Sequence, residues 1–275
     1  MENQKKPFGL DTTSLPFRLY QKSKQHGLWD PETIDFSKDR ADWATLTQME
    51  RQQVLELVSM FYFGEQSVTD ELLPLIYAVD KEGRTEETMY LATFLFEEVK
   101  HLEFFSRFLA EVVGTPLNLQ QYHSKGYQQI FYKELPTAMQ RLLTDQSPEA
   151  IAVASTTYHL LVEDIVGEIG FWFFGEVFGR KGFFPGLAEG FRNIARDEGR
   201  HIAYGTFLIQ RLMKEHGDHI YTVVRNRMTE LLPYCSGAVG PQGSHLIIPR
   251  MNRRLQILSR GSTNQEGEVG GDSII

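Results

Sequence analysis

The chain has 275 residues, of which 41% are hydrophobic and 23% are charged, so it contains enough apolar material for one sizeable core. The formal net charge of −8 argues against a nucleic acid partner, because binding to phosphates requires a basic surface. The single cysteine, Cys235, excludes an intrachain disulfide framework. Neither a secretory signal nor an apolar run long enough to span a bilayer is visible, so we expect a cytoplasmic protein without a transmembrane segment.

The sequence pattern predicts helices throughout. The first 45 residues are expected to wrap around the rest of the chain and to contain one short helix. Apolar residues then recur at helical spacing in four long segments, at 48–79, 86–113, 148–179 and 185–216. Shorter helices are predicted at 119–145 and 218–233. No hairpin turn lies between alternating apolar runs, so strands are not expected.

Capping signals agree with these helices. Thr47 and Glu50 have the spacing of a capping box at the start of the first long helix, and Gly217 lies where the last one should end. No linker rich in proline or glycine interrupts the helical part. We therefore predict an all-α fold, a long four-helix bundle with additional short helices. One domain is expected at 1–235, including the N-terminal wrapping segment, and residues 236–275 are expected to form a largely irregular or disordered tail.

Two Glu-x-x-His pairs, Glu98 with His101 and Glu198 with His201, lie within the second and fourth long helices. At this spacing, both side chains of a pair project from one face of a helix, one turn apart. As a count, two such pairs are unremarkable. Apolar residues precede and follow each pair in register, however, which places both pairs on the core side of their helices. An unpaired carboxylate would be very costly there.

The first and third long helices each carry a single glutamate on the apolar stripe, Glu65 and Glu163. Along the chain, a helix with one such glutamate is therefore followed by a helix with a Glu-x-x-His pair, and this order occurs twice. Taken singly, each glutamate is explained as easily by a buried acid with a hydrogen-bonding partner or by a partly exposed acid. Together, four carboxylates and two imidazoles that face inward require positive charge, which two divalent or trivalent metal ions would supply. Oxygen and imidazole donors suit iron and manganese, and this set is typical of di-iron and di-manganese carboxylate bundles.

For the charged residues next to these pairs, the sequence predicts no direct part in metal binding. Glu97, Lys100 and Arg200 are predicted to be surface charges on the solvent side of their helices. Asp197 has two interpretations: it either lies behind the opposite histidine and fixes its tautomer, or it is an exposed surface acid. Trp43, upstream of the first bundle helix, is assigned a packing role.

Three features together have an arrangement that is found in a known family. They are the segment 64–69, the two Glu-x-x-His pairs, and Tyr158, which lies five residues before Glu163. Over about residues 45–220 the chain resembles the ferritin-like superfamily that includes the small subunits of ribonucleotide reductase, and it is most similar to the ligand-binding oxidase branch. In that branch, a valine three positions after the first ligand glutamate becomes covalently joined to a tyrosine near the third. Val68 and Tyr158 occupy those positions here.

The resemblance implies a ferritin-like fold and a dioxygen-activating oxidase with a mixed Mn/Fe centre, although the donors also accept Fe/Fe. Carried over by position, the manganese ligands are Glu65, Glu98 and His101, and the iron ligands are Glu163, Glu198 and His201. The resemblance also implies a bound long-chain fatty acid, a two-electron oxidation and a Tyr158–Val68 ether that forms during oxygen activation. A homodimer is expected from the superfamily.

The alternative function is that of a true reductase small subunit, which generates a radical for a large catalytic subunit. The radical tyrosine of that family usually lies seven residues after the first Glu-x-x-His glutamate, where this chain has Phe105, although a subgroup has phenylalanine there. The reductase also uses a tyrosine in its C-terminal tail, whereas no aromatic residue follows Tyr234 here. Both observations favour the oxidase.

A ligand pocket beside the metal centre is only weakly specified by the sequence. Small residues near the ligand helices could leave room for one: Gly64, Gly167, Gly170 and Gly205. The aromatic run at 171–174 could line an apolar tunnel, but helix–helix packing is the favoured explanation. His159, next to Tyr158, points about 100° away from it around the helix and is assigned a structural role.

Overall fold

The computed structural model describes residues 9–114, 118–177 and 182–263, and every regular element within them is helical. The α-helices are α1 (Leu15–His26), α2 (Ser37–Thr45), α3 (Gln48–Glu71), α4 (Leu73–Lys81), α5 (Thr85–Phe108), α6 (Lys125–Gln129), α7 (Leu135–Arg141), α8 (Pro148–Ser155), α9 (Glu168–Val177), α10 (Pro185–His216) and α11 (His219–Thr263). The 3₁₀ turns are Pro31–Thr33 and Leu119–Tyr122, and the π-helical segments are Leu109–Val113, Ile130–Glu134 and Thr156–Gly167. None of the described helices has the length and apolar character needed to cross a membrane. The predicted all-α class is confirmed.

The first long predicted helix is divided in two at Leu72. α3 begins with the predicted capping box, in which the Thr47 hydroxyl accepts from the Glu50 backbone N–H at 3.3 Å and the Glu50 carboxylate accepts from the Thr47 N–H at 2.9 Å. α3 ends at Glu71, and α4 has Pro74 in its first turn. The division falls here because proline has no N–H with which to continue the helical ladder.

The third long predicted helix contains a π-helical stretch, Thr156–Gly167, between α8 and α9. The hydroxyls of Thr156 and Thr157 donate to the carbonyls four residues earlier, at 2.7 and 2.8 Å, and compete with the regular helical bonds. π-helical turns inside α-helices are uncommon and are frequently found at functional sites. This stretch, called the central π-helix below, carries both Tyr158 and Glu163.

The N-terminal segment contains two α-helices where the sequence predicts one. α1 packs against α5 and α10, and α2 reaches the start of α10. There the Asp39 carboxylate accepts from the backbone N–H groups of Gly186 and Leu187 at 2.9 and 2.7 Å, and Asp42 accepts from Phe184 at 3.0 Å. These bonds satisfy N–H groups at the start of α10 that have no partner within the helix. They hold in place the helix that carries the second Glu-x-x-His pair.

The prediction of an irregular tail from residue 236 is wrong for the part of it that the structure describes. α11 continues to Thr263, with one non-helical residue at Gly240, where φ is 70° and ψ is −178°. Beyond this break, buried apolar side chains recur at helical spacing: Ile247, Met251 and Leu258. Composition misled the prediction because glycine and proline disfavour an isolated helix, whereas tertiary packing overrides that preference. Residues 264–275 lie outside the described range.

Four elements enclose the core in which the predicted ligand residues lie: α3, α5, the central π-helix and α10. α3 packs against α5, and α10 packs against the central π-helix. The second of these contacts is very close at Gly205, where an added Cβ atom would lie 2.2 Å from Cβ of His159. A larger side chain would force the two helices apart, so Gly205 helps to set the distance between Glu163 and His201.

Candidate metal centre

All six predicted ligand residues meet in the middle of the bundle. Each of the four core elements contributes one glutamate, and α5 and α10 each add a histidine one turn later. The six are Glu65 from α3, Glu98 and His101 from α5, Glu163 from the central π-helix, and Glu198 and His201 from α10. None of them exposes more than 8% of its surface. The apolar stripes in the sequence therefore indicated the core side of every ligand helix correctly.

The donor atoms form two overlapping groups. The first group is Glu65, Glu98, His101 and Glu198, and the second is Glu98, Glu163, Glu198 and His201. Within each group, one donor atom from every residue lies within 4.8 Å of all the others. Because Glu98 and Glu198 belong to both groups, they would be shared between two metal ions held here, and the arrangement fits one dinuclear site.

The Nδ1 atoms of both histidines face the centre of the cluster. Nδ1 of His101 lies 3.4 Å from carboxylate oxygens of Glu65 and Glu198. Nδ1 of His201 lies 3.0 Å from an oxygen of Glu98 and 3.4 Å from one of Glu198. The centroids of the two imidazole rings are 5.9 Å apart. Groups of this kind can approach so closely only with protons or cations between them.

Several atoms of the cluster have no hydrogen-bond partner within the described part of the chain. They include both carboxylate oxygens of Glu98 and Glu163 and the Nδ1 atoms of His101 and His201. A buried polar atom without a partner costs about 1–3 kcal/mol, and more if it is charged. Coordination to metal ions would satisfy all of these atoms at once. The chemistry and position of the donors therefore fit a pair of metal ions.

The pKa values show that the cluster holds protons that metal ions would displace. Burial raises the pKa of Glu65 to about 8, and burial together with the charge of Glu198 raises that of Glu163 well above its usual range. Burial also opposes ionisation of Glu198, but His201 and His101 outweigh it and lower its pKa to about 2. The carboxylates likewise outweigh burial at both imidazoles and raise their pKa values. Metal uptake is therefore coupled to proton release.

A carboxylate lies behind the first histidine, on the side away from the cluster. Asp197 Oδ2 is 3.3 Å from Nε2 of His101, and it also accepts from Nε1 of Trp29 at 2.7 Å and from Nζ of Lys100 at 3.3 Å. Asp197 is fully buried. The interpretation of Asp197 as the partner of the opposite histidine is confirmed. With the proton held on Nε2, Nδ1 is free to bind a metal ion.

Glu97 has the same relation to the second histidine. Its Oε2 lies 2.9 Å from Nε2 of His201, and its Oε1 accepts from Arg200 at 2.5 Å. Arg200 also donates to Asp197 at 2.5 Å. One guanidinium group thus connects the carboxylates behind both histidines.

The predicted surface positions of Glu97, Lys100 and Arg200 are wrong, since all three side chains are buried. The prediction failed because a hydropathy pattern assigns every charge to solvent, whereas paired charges can lie in the interior. A signal was nevertheless present in the sequence. In both pairs an acid immediately precedes the ligand glutamate, at Glu97 and at Asp197.

Trp29 lies beside this network, although no sequence pattern singles it out. Its ring stacks on His101 with the centroids 6.2 Å apart and an interplanar angle of 16°, and Nζ of Lys100 lies 4.5 Å from its centroid. Trp43 is partly buried against an aromatic cluster and has Arg51 over its ring at 5.3 Å. The packing role predicted for Trp43 is confirmed.

Tyr158 and Val68 lie together next to the cluster, and both are buried. The Tyr158 hydroxyl donates to the backbone carbonyl of Val68 at 3.2 Å. Burial and the neighbouring carboxylates raise the pKa of Tyr158 well above its usual range, so the phenol keeps its proton. Nδ1 of His159 lies 3.1 Å from the Ser155 hydroxyl, and burial lowers the pKa of this histidine to about 3. These contacts support the structural assignment of His159.

A cavity of about 410 Å³ opens onto the cluster. Glu65, Glu163 and Glu198 lie at its inner end. Most of its wall is apolar and comes from α3, the central π-helix, α9 and α11, including Leu57, Met60, Val166, Ile169 and Val239. Three of the predicted glycines, Gly64, Gly167 and Gly170, are part of the wall. The prediction is wrong for Gly205, which lies against His159 instead. The volume and character are those of a site for a small apolar ligand.

The aromatic run at 171–174 serves two purposes. Phe171, Trp172 and Phe173 line the cavity. Phe174 stacks on Phe191 at 4.2 Å between centroids, and so contributes to packing. The packing explanation favoured from the sequence is therefore correct for one side of this helix and incomplete for the other.

Two features define the class of protein. Glu98 and Glu198 are shared between the two donor groups, and an apolar cavity reaches the cluster. Oxygen and imidazole donors of this kind suit iron and manganese, and paired metals in a carboxylate bundle support oxidative chemistry. The site is therefore that of a dimetal-carboxylate oxidoreductase.

Comparison with known proteins makes this assignment more specific. The chain belongs to the ribonucleotide reductase small-chain family, because the family model "Ribonucleotide reductase, small chain" matches residues 17–234. It is similar to a valine-to-leucine variant of an R2-like ligand-binding oxidase with an anaerobically reconstituted Mn/Fe cofactor, with 37% identity, a TM-score of 0.87, and coverage of 91% of this chain and 96% of that chain.

A glycine-to-leucine variant with a non-activated Mn/Mn cofactor is also similar, at 37% identity and a TM-score of 0.87, covering 91% of this chain and 95% of that chain. A tyrosine-to-phenylalanine variant of an R2-like ligand-binding oxidase with an aerobically reconstituted Mn/Fe cofactor is similar as well. Its identity is 35% and the TM-score is 0.82, and the match covers 92% of this chain and 94% of that chain. The predicted resemblance, the ferritin-like fold and the assignment as a dimetal oxidase are confirmed.

We predict that Glu97→Gln weakens metal binding roughly tenfold, the low end of the effect of removing a partner behind a metal-binding histidine. The amide leaves Nε2 of His201 without its charged acceptor and leaves Arg200 with Asp197 as its remaining carboxylate partner. The measurement is bound metal per chain at graded concentrations of Mn(II) and Fe(II), by elemental analysis after dialysis. Glu103→Gln, at an exposed position on the same helix, is the control and should change nothing. Equal affinities in the two variants would contradict the role of Glu97.

Proposed function

We propose that this dimetal oxidase holds a mixed Mn/Fe centre, activates dioxygen and performs a two-electron oxidation on or beside a bound fatty acid. The observation that carries the proposal is the apolar cavity that ends on the acidic cluster. The proposed manganese ligands are Glu65, Glu98 and His101, and the proposed iron ligands are Glu163, Glu198 and His201. The Mn/Fe cofactor named for the similar oxidases supports this pair of metals.

When bound, the metal pair supplies the site and the electrons for the reduction of dioxygen. The chain's own residues orient the donors and exclude water. Asp197 and Glu97 hold the two imidazoles with Nδ1 toward the cluster. Phe94 stacks on His201 at 3.6 Å between ring centroids, and Phe105 is fully buried. The cavity reaches three of the glutamates, Glu65, Glu163 and Glu198.

A long-chain fatty acid is the proposed ligand of this cavity. Its acyl chain would lie along the apolar wall, and its carboxylate would face the inner end. That end carries Glu65, Glu163 and Glu198, which offer no positive charge to pair with another carboxylate unless metal ions are bound. Fatty acid binding is therefore expected to require metal loading.

We predict that Gly64→Leu removes the bound fatty acid. A Cβ atom at this position would lie 3.5 Å from the Phe131 ring and 3.6 Å from the Tyr127 hydroxyl, which is ordinary contact. A leucine side chain would extend beyond it into the cavity, whereas Gly64→Ala should be tolerated and serves as the control. The measurement is mass spectrometry of lipids extracted from the purified, metal-loaded variants. Equal amounts of fatty acid in both variants would argue against this cavity as the binding site.

An ether bond between Val68 and Tyr158 is the proposed mark of the oxidative chemistry. Formation of the bond removes the hydroxyl hydrogen of Tyr158 and the Cβ hydrogen of Val68, and it joins the phenol oxygen to that carbon. The two protons and two electrons that are released go to dioxygen. The hydroxyl already lies 3.2 Å from the Val68 carbonyl oxygen, which supports the pairing.

We predict that loading with Mn(II) and Fe(II) under argon, followed by exposure to oxygen, joins the peptides that contain Val68 and Tyr158, with the loss of two hydrogen atoms. Peptide mass spectrometry detects the joined pair, and elemental analysis separates Mn/Fe from Fe/Fe loading. Tyr158→Phe should bind metal normally and form no joined peptide. Absence of the product in the loaded wild-type chain would overturn this part of the proposal.

The second candidate is a reductase small subunit, which the hydrogen-bonded series Trp29, Asp197 and His101 favours. It connects a partly exposed indole to a proposed metal ligand. Against it, Phe105 has no hydroxyl and is packed at 5.5 Å from Phe61 and 5.4 Å from Phe191, ring centre to ring centre. A radical signal and nucleotide reduction with a large subunit, without the joined peptide, would support this candidate.

We also propose that the protein is a homodimer that pairs through the outer face of α5. Phe96 and Val99 are 53% and 46% exposed, and Ala92, Leu95 and Leu102 continue this stripe. An apolar stripe on an otherwise polar surface is typical of a self-complementary interface. Light scattering should give a dimeric mass for the wild-type chain and a monomeric mass for Phe96→Asp. A dimer that survives this substitution would place the interface elsewhere.

A further inference from the structure

Two ion pairs attach the C-terminal half of α11 to the central π-helix and to the start of α9, which follows it directly. Arg254 Nε lies 2.5 Å from Oδ2 of Asp164, and Arg250 pairs with Glu168 at the start of α9. The two arginines are one turn apart on α11, and the two acids are one turn apart on the opposing helix. The two ion pairs therefore join one face of α11 to one face of the opposing helix over a full helical turn.

Arg254 has a second contact, which reaches α10. Its NH1 group donates to the Thr206 hydroxyl at 3.3 Å. Asp164 directly follows the proposed ligand Glu163, and Thr206 lies five residues after His201. One guanidinium group thus connects the two helices that carry the proposed iron ligands. The Arg254 and Asp164 side chains are only 12% and 5% exposed, so the link is shielded from water.

The side chain of Glu163 is held by fewer contacts than the side chains of the two histidines. His101 and His201 are held from behind by Asp197 and Glu97. Neither carboxylate oxygen of Glu163 has a hydrogen-bond partner among the described residues. Its position therefore depends on the backbone of the central π-helix, which the Arg254–Asp164 pair fixes one residue away.

We propose that Arg254 is a positioning residue for the metal site, which sets the distance of Glu163 from Glu198 and His201. The inference rests on the dimetal site of the proposed function. Without the guanidinium group, the buried Asp164 carboxylate loses its partner and the central π-helix shifts toward solvent to hydrate it. Glu163 then moves away from the other donors, and the second metal ion is bound less tightly than the first.

The test compares Arg254→Met with Arg253→Met. The control removes the same charge one residue away, from an exposed position. Apo-protein of each variant and of the wild-type chain is dialysed under argon against graded Fe(II), and bound iron per chain is measured by elemental analysis. For wild type and Arg253→Met we expect two ions per chain. For Arg254→Met we expect an unchanged first binding step and a second step weakened roughly tenfold.

Two more variants separate positioning from general stability. Arg254→Lys keeps the charge and should recover part of the second-step affinity, whereas Asp164→Asn removes the same pair and should reproduce the loss. All variants are assayed well below their melting temperatures, which circular dichroism measures. Unchanged second-step affinity in both Arg254→Met and Asp164→Asn, even with a lower melting temperature, would overturn the inference. Failure of the wild-type chain to bind two ions would instead refute the dimetal site itself.

Discussion

Four glutamates held together in a core that nearly excludes water are the constraint on which the rest of this structure depends. Two like charges about 4 Å apart repel by roughly 4 kcal/mol at an effective dielectric constant of 20. The raised pKa values of Glu65 and Glu163 show this repulsion together with the cost of burial. The apolar packing of four helices must supply the free energy that brings the carboxylates together. Metal ions reverse the sign of the interaction, so that metal binding stabilises the fold.

The buried charges around the cluster are subject to the same cost of placing a charge in the core. Glu97 and Asp197 would be as costly as the ligands if they were alone, but Arg200 pairs with both and Lys100 pairs with Asp197. Removing one member of a buried pair typically costs about 3–5 kcal/mol, because the remaining charge has no partner. Since Arg200 is shared, the orientations of His101 and His201 are linked through a single side chain.

The bundle is not filled completely, and α11 is the reason that the remaining space has a defined shape. Gly64 and Gly167 leave room beside the cluster, and the segment 237–243 around the break at Gly240 closes the cavity from the opposite side. Farther along, the arginines of α11 pair with acids on the helix that carries Glu163. One element therefore forms a wall of the ligand cavity and braces the metal site.

Helical periodicity and the Glu-x-x-His spacing are local properties, and they were enough to predict the four long helical segments, the core-facing sides of these segments and the six proposed ligands. The division of the first segment at Leu72 and the π-helical stretch in the third were not predicted. The sequence also identified Val68 and Tyr158 through resemblance, and the structure places them side by side. Glu97, Lys100 and Arg200 were misplaced, and the helix beyond residue 236 was missed, because in each case the deciding partner is distant in sequence. Arg200 is buried with two carboxylates as partners, and one of them, Glu97, lies more than a hundred residues away. Pairing of this kind arises only when the helices pack, so it depends on the folded arrangement and cannot be read from local sequence patterns.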